Sequence, residues 1–177
     1  MFLKFTGLCA FLAIISSSAA YKITPNVIDG VPGFLNITTA PFVKIGSGYY
    51  VFKSEKVNWY AAFESCRQMD AELIAFENLE ELELISQYVT ESNLFPRYWT
   101  SGTDLAEEDK HTWFSNGQPV SSTLWLPGEP NKQDDVEHCD EFNIKNGGGG
   151  LNDRFCIRLN GYICEAHQPK TASFIIW

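Results

Sequence analysis

The chain has 177 residues, a formal charge of −9, 45% hydrophobic and 14% aromatic residues. That length supports one domain with a sizeable core. Its acidity argues against nucleic acid, which needs a basic face, and suits a cation instead.

Residues 1–20, MFLKFTGLCAFLAIISSSAA, stand apart. Lys4, an apolar run and the small residues Ser18, Ala19 and Ala20 read as a secretory signal peptide, too short for a membrane span. No later segment is long and apolar enough for membrane insertion. The mature protein is expected to start near Tyr21, soluble, secreted and extracellular. Cleavage removes Lys4, so −9 becomes −10. It also removes Cys9 and leaves Cys66, Cys139, Cys156 and Cys164. Four cysteines in an oxidising compartment read as two disulfides, with three connectivities open.

Residues 21–41, with Pro25, Gly30, Pro32, Gly33 and Pro41, read as an extended lead-in without heptads. Asn36-Ile37-Thr38 is a sequon, which makes Asn36 a candidate glycosylation site. FVKIGSGYYVFK carries two short β runs around Gly46-Ser47-Gly48, a hairpin signal. Trp59, Ala62, Phe63 and Cys66 fall on one face of a helix that Asn58 is placed to cap. A second helix is expected from about Asn78 to Val89, with Leu79, Leu82, Ile85 and Tyr88 or Val89 inward and its glutamates solvated. From Arg97 on, RYWTSGTD, HTWFSNGQPV, HCDEFNI, FCIRL and YICEA are short strand-like pieces, with a hairpin turn at Ser115-Asn116-Gly117. The apolar tail TASFIIW, within residues 167–177, is expected either to pack on the domain or to support self-association. Early helices followed by short strands, long loops and two disulfides make an α+β domain.

The most chemically dense stretch is EPNKQDDVEHC, Glu129 to Cys139. It is followed by Asn152-Asp153 before Cys156, and preceded by YWTSG, with Trp99 and Gly102, and by Trp125. With Cys66 and Cys164, these landmarks make residues 42–166 resemble a C-type lectin domain: two helices, small antiparallel sheets and a long loop region. The resemblance implies the pairs Cys66–Cys164 and Cys139–Cys156, a cis Glu129–Pro130 bond, and calcium as the cofactor. Calcium takes six to eight oxygen ligands. Carboxylates of Glu129, Glu137 and Asp153, amide oxygens of Asn131 and Asn152, and the Asp153 carbonyl can supply them. The same residues then form the carbohydrate-binding set, because carboxylates accept from sugar hydroxyls while asparagine amides donate to them.

In this family EPN accompanies mannose- or fucose-type ligands, whereas galactose-type members carry QPD, a tryptophan and glycines. The chain also resembles small secreted insect lectins, some described as galactose-binding, so galactose is the alternative. The implied partners are terminal sugars of glycans or microbial surface polysaccharides, in innate immunity. A second calcium site would draw on Asp104 and Glu108, but Lys132 and His138 stand where it wants acids, so one ion is expected. Leu151 stands where the family has tryptophan.

Several other readings are weaker. Gly147–Gly150 reads as a flexible approach to Asn152 and lacks the Lys-Ser/Thr of a phosphate loop. His111, His138 and His167 are too scattered for a zinc set. A glycosidase pair of Glu129 and Glu137 would need unequal environments, which flanking amides and an ion oppose, so no enzyme is expected. A calcium-independent protein-binding domain is the remaining alternative. Asp134, Asp135, Asp140 and Glu141 read as solvated charge, and Trp59, Trp99, Trp113 and Trp125 as core.

Overall fold

The computed structural model describes residues 23–29, 40–145, 148–167 and 170–176; the signal peptide, Asn36 and Trp177 lie outside them. In chain order the elements are β1 (Ile23–Asp29), β2 (Val43–Ile45), β3 (Gly48–Val57), α1 (Trp59–Gln68), β4 (Ala71–Leu73), α2 (Leu79–Glu91) and β5 (Arg97–Thr103). There follow β6 (Thr112–Trp113), β7 (Cys139–Lys145), β8 (Gly148–Arg154), β9 (Asn160–Ala166) and β10 (Lys170–Ile176). Two short 3-10 turns, Ser122–Leu124 and Gln133–Asp135, lie between β6 and β7.

Both helices begin where an asparagine can hold the first turn. Asn58 Oδ1 accepts the Ala61 N–H at 2.9 Å, and Asn78 Oδ1 accepts that of Glu81 at 3.0 Å. Helix α1 buries Trp59, Ala62 and Cys66 against Leu73, Trp99 and Tyr162. Helix α2 buries Leu82, Ile85 and Val89 against Phe76, Phe142 and Leu151. Leu79, expected inward, is 43% exposed because it opens the first turn before the apolar face meets the sheet. Glu81 also departs from the solvated reading. It accepts the Tyr50 hydroxyl at 2.6 Å and the Glu77 N–H at 2.7 Å, tying the helix start to β3.

The small antiparallel sheets merge into one eight-stranded sheet, in the order β2-β3-β9-β5-β7-β8, with β4 on β9 and β6 on β5. The join is a parallel contact between β5 and β9, Tyr98 beside Gly161 and Trp99 beside Tyr162. Both strands are covered on both faces along most of their length, which lets them lie inside a mixed sheet. The indole N–H groups of Trp59 and Trp99 are satisfied by the carbonyls of Thr100 and Val57. Trp113 is buried, and Trp125 is half-buried.

Two pieces differ from the sequence reading. FCIRL is a turn, closed by the Arg158 N–H on the Phe155 carbonyl at 2.8 Å. Its alternation imitates a strand, but Phe155, Ile157 and Leu159 are all exposed. Conversely, the glycine run leads into a strand, β8. A Cβ at Gly149 would meet Ser86 Oγ at 2.0 Å, and one at Gly150 would meet Leu126 at 2.8 Å. The glycines therefore let the strand lie close to α2 and to the long loop.

Disulfides join Cys66 to Cys164 and Cys139 to Cys156. The terminal segments form a separate two-stranded antiparallel ribbon, Ile23 opposite Ile176 through Asp29 opposite Lys170.

Candidate functional site

The site begins with the β7–β8 hairpin. Its register sets Asp140 opposite Asp153 and Glu141 opposite Asn152, while Cys139 is opposite Arg154. The long loop from Leu126 to His138 is then pinned along the second strand. Leu126 N–H donates to the Leu151 carbonyl at 2.9 Å, and His138 N–H to the Arg154 carbonyl at 3.2 Å. Between these anchors the Asp153 side chain, fully buried, accepts the backbone N–H of Asn131 at 3.0 Å and of Lys132 at 2.7 Å. Glu129–Pro130 is cis.

All five candidate residues gather on this loop and hairpin. Glu129 is half-buried and Asn131 exposed; Glu137, Asn152 and Asp153 are buried. Asn152 commits its amide nitrogen to Glu141 Oε1 at 3.3 Å and to the Asp153 carbonyl at 3.1 Å. Glu129 Oε2 and Glu137 Oε2 are covered from solvent and receive no hydrogen bond. Burial raises both carboxyls above their ordinary range; repulsion from Asp153 adds to this in each, while Arg154 opposes it at Glu137. Covered, unpartnered carboxylate oxygens beside a third carboxylate are what a hard cation would satisfy.

The donors are all oxygens, which fits calcium better than a soft metal. Among the described residues, no three His, Cys, Asp or Glu side chains converge closely enough to hold a metal by themselves. The candidate set relies on amide oxygens and a carbonyl as well, and Arg154 Nη1 already sits 3.1 Å from Glu137 Oε1.

Behind these residues lies a charged layer that the sequence reading assigned to solvent. Asp134 and Asp135 are exposed, but Asp140 and Glu141 are buried inside β7. Glu141 is held by Asn152, by Asn160 at 2.7 Å and by Arg154 at 3.8 Å, so it orients Asn152. Asp140 occupies the space over Gly102, where a Cβ would meet its Oδ2 at 2.2 Å. Burial pushes its carboxyl up to about 6, against the pull of His111 at 2.8 Å. The strict alternation expected of a half-exposed strand is missing from CDEFN, the one signal that could have placed these acids inside.

The histidines are less scattered than their numbering implies. His138 Nδ1 lies 2.9 Å and His111 Nε2 3.9 Å from the carboxylate of Asp104, while His167 sits apart beside Glu72. Lys132 extends its ammonium to Glu108 at 2.6 Å and Asp109 at 3.1 Å. The region that a second ion would use thus holds the Lys132 ammonium, with His138 against Asp104.

Comparison with known proteins agrees with this architecture. The family model for the lectin C-type domain matches residues 55–166. The Drosophila melanogaster protein C-type lectin 37Da is 39% identical over 163 residues, 88% of each chain. The carbohydrate-recognition domain of the mouse scavenger receptor C-type lectin superposes with a TM-score of 0.64 at 24% identity, over 75% of this chain and 98% of that one. The cow CD23 domain, solved in the presence of a GlcNAc2Man3 oligosaccharide, gives 0.62 at 25% identity, over 76% and 98%. The chain belongs to the C-type lectin family, whose members are carbohydrate-binding proteins and not enzymes.

Proposed function

We propose that the domain at residues 42–166 is a calcium-dependent lectin that binds terminal sugars without chemical turnover. The observation that carries this reading is the pair of covered, unpartnered oxygens on Glu129 and Glu137, next to the buried Asp153. One calcium ion would be held by Glu129, Asn131, Glu137, Asn152 and Asp153. When bound, it supplies a Lewis-acidic centre on which two neighbouring sugar hydroxyls replace water. The chain's own part is to accept hydrogen bonds from those hydroxyls on Glu129 and Glu137 and to donate to them from Asn131 and from Asn152, whose amide nitrogen would turn from Glu141 and the Asp153 carbonyl to do so.

The EPN sequence favours mannose or fucose, with galactose the alternative. Two disulfides and the likeness to an insect lectin support secretion. Recognition of microbial surface polysaccharides in innate immunity is the corresponding role. Self-association is supported by the terminal ribbon. It pairs β1 with β10 in a sheet of its own. A two-stranded ribbon is marginal alone.

A glycan array probed in calcium and in EGTA tests the reading. EGTA-sensitive binding to mannose- or galactose-terminated glycans is expected. Binding that survives EGTA unchanged would favour a calcium-independent protein-binding domain.

A further inference from the structure

Asn152 and Arg154 stand two residues apart on β8, so strand alternation sets both on one face of the hairpin. On β7, Glu141 lies opposite Asn152 and Cys139 opposite Arg154. The Arg154 backbone is also fixed from the loop side, because its carbonyl accepts the His138 N–H at 3.2 Å. From there the guanidinium reaches two carboxylates. Nη1 lies 3.1 Å from Glu137 Oε1, and Nε lies 3.8 Å from Glu141 Oε1. That Glu141 oxygen is the one that accepts the Asn152 amide at 3.3 Å. Arg154 therefore contacts one candidate ligand and, through Glu141, reaches a second. Among the described residues it is the one cation paired with any of the five. Burial raises the carboxyls of Glu137 and Glu141, and at each Arg154 is the leading charge against that rise.

Without an ion, Glu129, Glu137 and Asp153 repel one another. A guanidinium against Glu137 offsets part of that repulsion. The same positive charge opposes a divalent cation, since like charges repel strongly at a part-buried site. An ion that takes Glu137 must either stand beside the guanidinium or displace it. The pair engages Oε1, while Oε2 is covered and receives no hydrogen bond. The Arg154 side chain is 26% exposed against 7% for Glu137, so the guanidinium has solvent to move into and the carboxylate does not.

We infer that Arg154 is a counter-ion built into the site: it holds Glu137 and Glu141 in the calcium-free chain and competes with calcium for Glu137. It thereby sets the calcium concentration at which the site loads. This rests on the calcium reading above and names a residue that regulates the same site.

The test measures calcium affinity by calorimetry, and melting temperature in EGTA and in saturating calcium, for wild type, Arg154→Gln and Arg154→Lys. Removing the charge should tighten calcium binding by about tenfold, the scale of a unit charge acting on a divalent ion at a part-exposed site. R154K keeps the charge and should stay near wild type. In EGTA, R154Q should melt roughly 3–5 °C below wild type, the shift that a tenfold change carries in a domain of this size. Calcium stabilises the folded chain in proportion to its affinity, so saturating calcium should close that gap. A merely structural arginine would leave the gap open in calcium and would not tighten the ion. Calcium affinity in R154Q that is unchanged or weaker than in a calcium-binding wild type overturns the inference alone. Uptake by R154Q but not by wild type would uphold the inference and overturn the calcium reading of the natural chain. No uptake by any of the three proteins overturns both.

Discussion

Asp153 holds Asn131 from across the hairpin: its buried Oδ1 accepts the Asn131 backbone N–H at 3.0 Å, and Oδ2 takes the next N–H at 2.7 Å. One side chain on β8 thus sets the backbone that presents Glu129 and Asn131. Asp153→Ala should free two N–H groups and loosen this loop, at a cost of about 3 kcal/mol for two bonds to a charged acceptor. Chemical denaturation should show that loss, and calorimetry should show no calcium uptake.

Lys132 joins the same loop to Glu108 and Asp109 through its ammonium. One calcium per chain is therefore expected, because a positive charge stands where a second ion would need acids. Equilibrium dialysis should give one ion for wild type. Lys132→Asp adds a carboxylate beside Glu108 and Asp109 and should raise the count towards two. A wild-type count of two would show that the ammonium does not exclude the ion.

Burial and Asp153 raise the carboxyls of Glu129 and Glu137. Raised values mean that protons compete with calcium from above the ordinary glutamate value of 4.5 as pH falls. Sugar binding at saturating calcium should weaken severalfold between about pH 7.5 and pH 5, within the span where such carboxyls titrate. Equal binding at the two values would mean that these carboxylates do not carry the site.

Glu165 predicts a separate pH effect, on stability. Burial, reinforced by Glu81 and Glu77, pushes its carboxyl from 4.5 up to about 8. The folded state therefore binds this proton more tightly than the unfolded state. Its contribution is full below the unfolded value near 4.5 and is lost as pH rises through about 8. Melting temperature should fall on that rise in wild type, and Glu165→Gln should flatten the fall. An unchanged profile in the variant would place the titration elsewhere.

Much of this was legible in the residues themselves. Asn58 and Asn78 announced the helix starts, and the spacing of Trp59, Ala62 and Cys66 gave the buried face of α1. The five candidate ligands, proposed from residue type and from the family resemblance, lie on one loop and hairpin in the structure. What composition concealed depends on long-range pairing. Gly149 and Gly150 looked like a flexible link, yet their lack of side chains lets Phe142 and Leu126 lie against the strand. Asp140 and Glu141 looked solvated because partners such as His111 and Asn160 are distant in the chain. FCIRL imitated a strand because its exposed Phe155, Ile157 and Leu159 alternate with Cys156, which is tied to Cys139.

In the proposed function the ion and the sugar share one site. A calcium titration by calorimetry, with and without saturating methyl mannoside or galactoside, tests it most directly. Shared ligation makes the coupling reciprocal, so sugar should tighten calcium binding by the factor that calcium tightens sugar binding. One ion per chain is expected, bound severalfold more tightly with the preferred sugar present. Calcium affinity that is identical with and without a sugar shown to bind would contradict it.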